Sequence, residues 1–252
     1  MKPNRLAPYR VLIGTGAIAV LILAWQFVSV YTDAGRLSGS PVAIVRAVPN
    51  VLGDGLLAES LFSLRALVLG LVIATVVGIV LGILLGSIRR LAYLFEPALM
   101  ALYVTPTVAL LPLIVIWCGV GNASTTVIVA LSAVFPILVN TMAGVRQLDP
   151  HWTRAVTAFG GNRLMAFRLV AIQGSLPEIL VGINLGIGRG LIGIIVAEMY
   201  ASSQGIGSLL NAYSHAVRIP ELFVVVIVIG IFGFALVQGT RTLEERAAAW
   251  RQ

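Results

Sequence analysis

Lysine occurs once in the chain, at Lys2, and that scarcity removes a class of chemistry. A phosphate loop of the GxxxxGK[ST] type needs a lysine beside its glycines. The chain therefore cannot bind and hydrolyse ATP through that motif. Cysteine also occurs once, at Cys118, which excludes an intramolecular disulfide and a cysteine-based metal cluster. Cys118 reads as a small apolar residue at a helix end. Charge of both signs is short: 11% of residues are charged, against roughly 25% in soluble domains, too little to cover a water-facing surface. The net charge of +7 lacks the basic runs with interleaved aromatics that nucleic-acid binding needs, so no nucleic-acid partner is expected.

What the chain has is apolar length. Hydrophobic residues make up 59% of it, in blocks close to the ~20 residues a helix needs to cross a hydrocarbon core. Strand-like alternation is absent, which argues against a β-barrel. The first block, about Val11 to Tyr31, is too long for a signal-peptide core and lacks an A-x-A site, so a retained helix is expected. A polar stretch with Pro41, Pro49 and Gly53 follows, read as a loop with a short interfacial helix. Further blocks run from about Leu61 to Ile88, Tyr93 to Trp117, Thr126 to Val145, Ile179 to Met199 and Leu222 to Val237. Pro106 and Pro112 should kink or break the third of these six spans. The segment Ala201–Glu221 is less hydrophobic and reads as a loop.

Six spans put both termini on one side, and the side richer in Lys and Arg is cytoplasmic. One side collects Lys2, Arg5, Arg10, Arg89, Arg90, Arg146, Arg154, Arg163, Arg168, Arg241, Arg246 and Arg251; the other collects Arg36, Arg46 and Arg218. The termini and the segment Arg146–Arg168 then face the cytoplasm, and the loops Thr32–Ser60 and Ala201–Glu221 face outward. His151 and His215 fall on opposite sides, which excludes a shared histidine metal site. Asp149 beside His151 reads as surface chemistry, since a site needs convergent groups. An intramembrane enzyme would lack its nucleophile and base.

Gly70, Ala74, Gly78, Gly82 and Gly86 recur every four residues, as do Gly182, Gly186 and Gly190. Such ridges let helices approach closely in lipid, within this chain or against a second copy. Three regions follow: residues 1–60 with the first helix and external loop, 61–241 as the core, and 242–252 as a cytoplasmic tail. Within the core, the cytoplasmic segment of about 146–177 is too long for a simple turn. Trp152, Ala155, Val156 and Phe159 form an apolar face on a short helix that also carries Arg154 and Thr157. Gly160-Gly161 would end it as a C-cap. A second amphipathic stretch, Arg163–Ile172, leads to Pro177 at the start of the fifth span, a favoured position for proline. A short helix offered to the cytoplasm suits docking in another protein's groove.

This segment resembles the EAA loop of binding-protein-dependent ABC importer permeases, E-A-A, three residues, G, nine residues, I-x-L-P. Arg154-Ala155-Val156 takes the E-A-A place, Gly160 matches the glycine, and Val170-Ala171-Ile172-Gln173 takes the I-x-L-P place. Ser63-Leu64-Arg65, Thr105-Pro106 through Leu111-Pro112-Leu113 and Phe135–Thr141 resemble the nitrate/sulfonate/taurine branch of that family. So do Gly188-Arg189-Gly190, Val196–Met199 and Ser202 through Gly207. The resemblance implies an all-α membrane protein of the type I ABC importer permease kind, with six transmembrane helices and cytoplasmic termini. It implies a second permease copy, two cytoplasmic ATPase subunits that bind ATP and Mg, and an external substrate-binding protein. It places the chain in a bacterial inner membrane, carrying a small anionic solute or a vitamin precursor, with no cofactor of its own. ATPase coupling would fall to Trp152, Arg154, Ala155, Val156, Phe159 and Gly160. Arg154 stands where the family has glutamate, and Gln173 where it has the first proline. An Arg154→Glu change is expected to weaken the coupling of ATP hydrolysis to transport. Unchanged stimulated ATPase and uptake in a reconstituted complex would overturn that.

Candidates for the translocation path are Thr105, Pro106, Trp117, Asn140, Arg189 and Glu198. Arg189 lies at mid-span, where a charge costs about 3 kcal/mol, so it faces a cavity or a partner. It reads either as a counter-charge for an anionic substrate or as a structural pairing. Glu198 falls roughly opposite it on the helix, and reads as a gate at the outer mouth or an anchor for the loop Ala201–Leu210. A stand-alone channel or secondary transporter is the alternative reading; it would not need a cytoplasmic docking helix.

Overall fold

The structure is a computed structural model that describes residues 7–31, 39–162, 165 and 167–248. Lys2, Arg5, Arg36, Arg163 and Arg251, which entered the topology, lie outside the described residues. Among the described residues there are helices and turns and no strand. In chain order the helices are α1 (Ala7–Tyr31), α2 (Pro41–Gly53), α3 (Leu56–Ser87), α4 (Arg89–Val104), α5 (Leu111–Cys118), α6 (Asn122–Arg146), α7 (Pro150–Ala158), α8 (Gln173–Ala201), α9 (Ile206–His215) and α10 (Ile219–Ala248). A 3-10 turn (Thr107–Leu110) precedes α5, and a π-helical turn (Phe167–Ile172) runs into α8.

Among the described residues four stretches are long and apolar enough to cross a membrane: α3, α6, Val170–Ala201 and Ile219–Thr240. The block expected at Tyr93–Trp117 is broken: α4 and the Thr107–Cys118 segment meet at 86°. The break falls at Thr105-Pro106 alone. Pro112 instead sits in the first turn of α5, where its missing N–H would have had no partner anyway. If the bent pair is one span there are five; the apolar stretch Gly16–Tyr31 of α1 is shorter than a span.

The glycine ridges find their partner within this chain. A methyl group placed on Gly70, Gly78, Gly82 or Gly86 would lie 2.6–2.8 Å from side-chain atoms of Val129, Ile137, Thr141 or Val145. Both series advance by four residues in the same direction, so α3 and α6 run parallel in contact at their backbones. On an adjoining face α6 receives α8, with Ile137 touching both neighbours. Gly182 and Gly186 abut Ile137, and Gly193 abuts Ser132 and Ile128, which makes that pair antiparallel. The core therefore centres on α6, with Val129, Ala133, Ile137 and Thr141 fully buried.

Two expectations are corrected. Pro177 does not start its helix: α8 begins at Gln173 and continues the π turn. Proline removes one ladder bond, and in a membrane helix local π adjustment and hydroxyl groups can take up the freed groups. Here the π turn lies just upstream, and Ser175 donates its hydroxyl to the carbonyls of Ala171 and Ile172. Ala201–Glu221 is not wholly a loop, since Ile206, Tyr213 and their neighbours form α9, with Ile206 and Tyr213 buried on one side.

By packing, the chain divides into two compact units: residues up to Leu57 with Leu209–Val228, and Ala58–Ser208 with residues from Ile229 on. In the first unit Ser40 caps α2 by accepting from the Ala43 N–H at 3.1 Å, and Trp25 meets Phe223 at 5.6 Å between ring centres. Tyr213 donates its hydroxyl to Asp54 at 2.8 Å, and Arg218 bridges Asp54 and Glu221. Burial and the bond to Asp54 push the Tyr213 phenol up to about 12. The candidate residues all lie in the second unit.

Candidate functional site

Between α6 and α8, α7 is a nine-residue helix stopped at both ends by its own sequence. Asp149 opens it, its carboxylate accepting the His151 N–H at 2.9 Å. Gly160 closes it at φ +81: the Gly161 N–H reaches back to the Val156 carbonyl at 2.9 Å and the Gly160 N–H to Thr157 at 3.1 Å. This pair of bonds around a left-handed residue is the Schellman cap, which favours glycine. The closure makes α7 a short, self-terminated rod. Leu148 packs against Gly174, tying the start of the segment to the foot of α8. Arg146, in the last turn of α6, pairs with Glu96 of α4 through two bonds of 3.0 and 3.3 Å. That brace at the base of the segment escaped the sequence reading, because residues fifty positions apart show no spacing signal.

The apolar side chains of α7 turn away from the chain. Trp152 is 67% exposed and Phe159 92%; Arg154 and Ala155 are exposed as well, and Val156 is half-buried against Gly161. Trp152, Ala155, Val156 and Phe159 stand at i, i+3, i+4 and i+7, one helix face. An exposed segment that presents a Trp and a Phe on one capped face has the form of a docking helix.

At the far end of α8, Glu198 is 1% exposed and anchors the loop between α8 and α9. Its Oε2 accepts the Ser63 hydroxyl at 2.8 Å and the Gly207 N–H at 2.9 Å. Ser63 in turn accepts the Ile206 N–H at 2.8 Å, and Glu59 accepts the N–H of Gly205. Gly205 has φ +101 and the Glu198 carboxyl group lies where its side chain would be, so only glycine fits there. Three residues of two helices thus hold three consecutive backbone N–H groups. Of these three, only Glu198 stood out in the sequence as a site candidate; Glu59 and Ser63 are found by the fold, which brings α3 beside the far end of α8.

The remaining candidates do not form one cluster. Thr105 and Pro106 are exposed at the helix break, with the Thr105 hydroxyl donated to the Ala101 carbonyl at 2.8 Å. Arg189, exposed on α8, lies over the ring of Tyr103 at 5.0 Å, so the fold joins it to the segment that ends at the break. Asn140 donates to the Pro136 carbonyl at 2.8 Å and packs against Gly182, about 10 Å further along α8 at 1.5 Å per residue. Trp117 is 71% exposed at the end of α5. Among the described residues no group of three or more His, Cys, Asp and Glu is placed to hold a metal ion.

The sequence pattern of the binding-protein-dependent transport system inner membrane component family matches residues 74–243. A putative aliphatic sulfonates transport permease of Escherichia coli is 31% identical over 249 residues, 98% of this chain and 92% of that one. A riboflavin transport system permease of Chloroflexus aurantiacus is 32% identical over 235 residues, 92% of this chain and 88% of that one. The taurine transport system permease of Escherichia coli is 30% identical over 157 residues, 62% of this chain and 57% of that one. Among solved structures, a crystal structure of an amino acid ABC transporter with histidines superposes at a TM-score of 0.57. It is 19% identical and matches 81% of this chain and 95% of that one, which speaks for the fold alone.

Proposed function

Because the chain belongs to the family of binding-protein-dependent transport system inner membrane components, as an ABC transporter permease related to those for taurine and sulfonates, we propose that it forms the translocation path of an ATP-driven importer of small anions. As a multi-pass inner-membrane subunit of that family it performs no catalysis itself. In this reading α1 supplies the sixth span and both termini are cytoplasmic. Two copies pair, two cytoplasmic ATPase subunits bind ATP and Mg and dock on α7, and an external binding protein delivers the solute.

One observation carries the reading: the capped, exposed face of α7 with Trp152 and Phe159 uncovered. A charge-poor chain without a phosphate loop must take its energy from elsewhere. A rigid short helix is the element through which a partner's movement can be transmitted, since it moves as a body and not as a flexible loop. Closure of the ATPases on ATP would swing the pair outward-facing, and hydrolysis would reset it.

The test is reconstitution of the chain with its ATPase and binding protein in proteoliposomes. ATP-dependent uptake, lost together with ATPase co-purification in a Trp152→Ala, Phe159→Ala double variant, is the expected result. Uptake that proceeds without ATP or without an ATPase partner would overturn the reading in favour of a channel or secondary transporter. The riboflavin permease relative keeps a vitamin-type solute as the second substrate class, and uptake of riboflavin in place of oxyanions would select it.

A further inference from the structure

Among the described residues Arg189 has no ion-pair partner. It stands twelve residues before Ala201, the end of α8, about 18 Å along the helix axis. Among the described residues the ion pairs are Arg146 with Glu96 and Arg218 with Asp54 and Glu221, and Arg189 joins none of them. The rotation of α8 is fixed by Gly182, Gly186 and Gly193 against α6, which turns Val181, Leu185, Arg189 and Ile192 outward as one exposed stripe. A guanidinium on that stripe cannot face hydrocarbon at low cost, and such residues face a cavity or a partner instead.

The ring of Tyr103 lies under the guanidinium at 5.0 Å. That is within cation–π reach, and a guanidinium carries its N–H donors in its plane, at its edge. Parallel donors of that fork match two oxygens of one oxyanion. Tyr103 lies two residues before the break at Thr105-Pro106, and irregular backbone at membrane depth occurs where it is covered by protein or lines a cavity. The fold therefore brings together a guanidinium outside the described ion pairs, the Tyr103 ring and an irregular stretch of backbone.

We propose that Arg189, held in orientation by Tyr103, is the anion-selecting group of the translocation path and binds the oxyanion head of the solute through its N–H edge. This rests on the permease reading above. Arg189 is the binding residue and Tyr103 a positioning residue.

The experiment uses the full complex with its ATPase and binding protein in proteoliposomes. Ethanesulfonate, taurine and nitrate serve as oxyanion probes, and riboflavin as a solute without such a head. Wild type is expected to import at least one oxyanion probe. R189Q should lower that uptake at least tenfold. R189K, which keeps the charge and loses the fork, should fall between the two. Y103F should stay near wild type, and Y103L should lose three- to tenfold. Wild-type rates in R189Q would overturn the proposal and leave the permease reading intact. Failure of both R189K and R189Q to co-purify with the ATPase would mark a structural residue and overturn it as well. Import of riboflavin alone would overturn the anion assignment, whereas absence of ATP-driven uptake of every probe would overturn the permease reading and the proposal with it.

Discussion

Glu198 makes its bonds from a fully buried position, and that decides what its substitution would cost. Removing the side chain leaves the Gly207 N–H without its acceptor and opens a void beside Ser63. An unsatisfied buried donor costs about 1–3 kcal/mol, and the void adds to it. Glu198→Ala should therefore lower the thermal unfolding midpoint of the detergent-solubilised protein clearly, by about 3 kcal/mol in stability. Glu198→Gln, which keeps the volume and one acceptor oxygen, should lose less than half as much. Equal midpoints for the two variants would show that the anchoring of Ser202–Gly207 does not depend on this side chain. Arg189, nine residues away, makes no such set of bonds, which is why the same helix carries one residue built into the scaffold and one turned out of it.

At the scale of elements, the contacts of α6 with α3 and α8 depend on residues without side chains. In lipid there is no hydrophobic gain from helix association, so close van der Waals approach has to supply it. Gly82→Ala would drive a methyl to 2.6 Å from Thr141 and 2.8 Å from the Leu138 carbonyl. Overpacking of that kind costs about 1–3 kcal/mol, and a measurable fall in unfolding midpoint is expected. Gly188→Ala meets nothing within 4 Å and adds helix propensity worth up to ~1 kcal/mol, so its midpoint should hold or rise. A destabilised Gly188→Ala beside an unaffected Gly82→Ala would refute this packing. The four-residue spacing of these glycines is plain in the sequence, but spacing names only the face. That the face meets α6 of the same chain depends on the fold.

For the whole molecule the orientation in the membrane is the property to test, and the lone cysteine makes the test simple. In a Cys118→Ser background, Ser203→Cys should react with a membrane-impermeant maleimide in intact cells, and Arg154→Cys only after the membrane is opened. Both positions are exposed, so access alone decides the outcome; the opposite pattern would invert the topology. Hydrophobic blocks and basic connectors were enough by themselves to determine a helical membrane chain, the single lysine excluded a phosphate loop, and local pattern marked a short helix at Trp152–Gly160. These are local or summed properties, set by transfer energy and by capping residues within one turn. The tertiary structure alone decided the 86° break at Thr105-Pro106 as opposed to Pro112, the Glu96–Arg146 brace, the Glu59–Ser63–Glu198 anchor and the stacking of Arg189 on Tyr103. Each joins residues far apart in sequence, and only the packing of α3, α6 and α8 brings them within bonding distance.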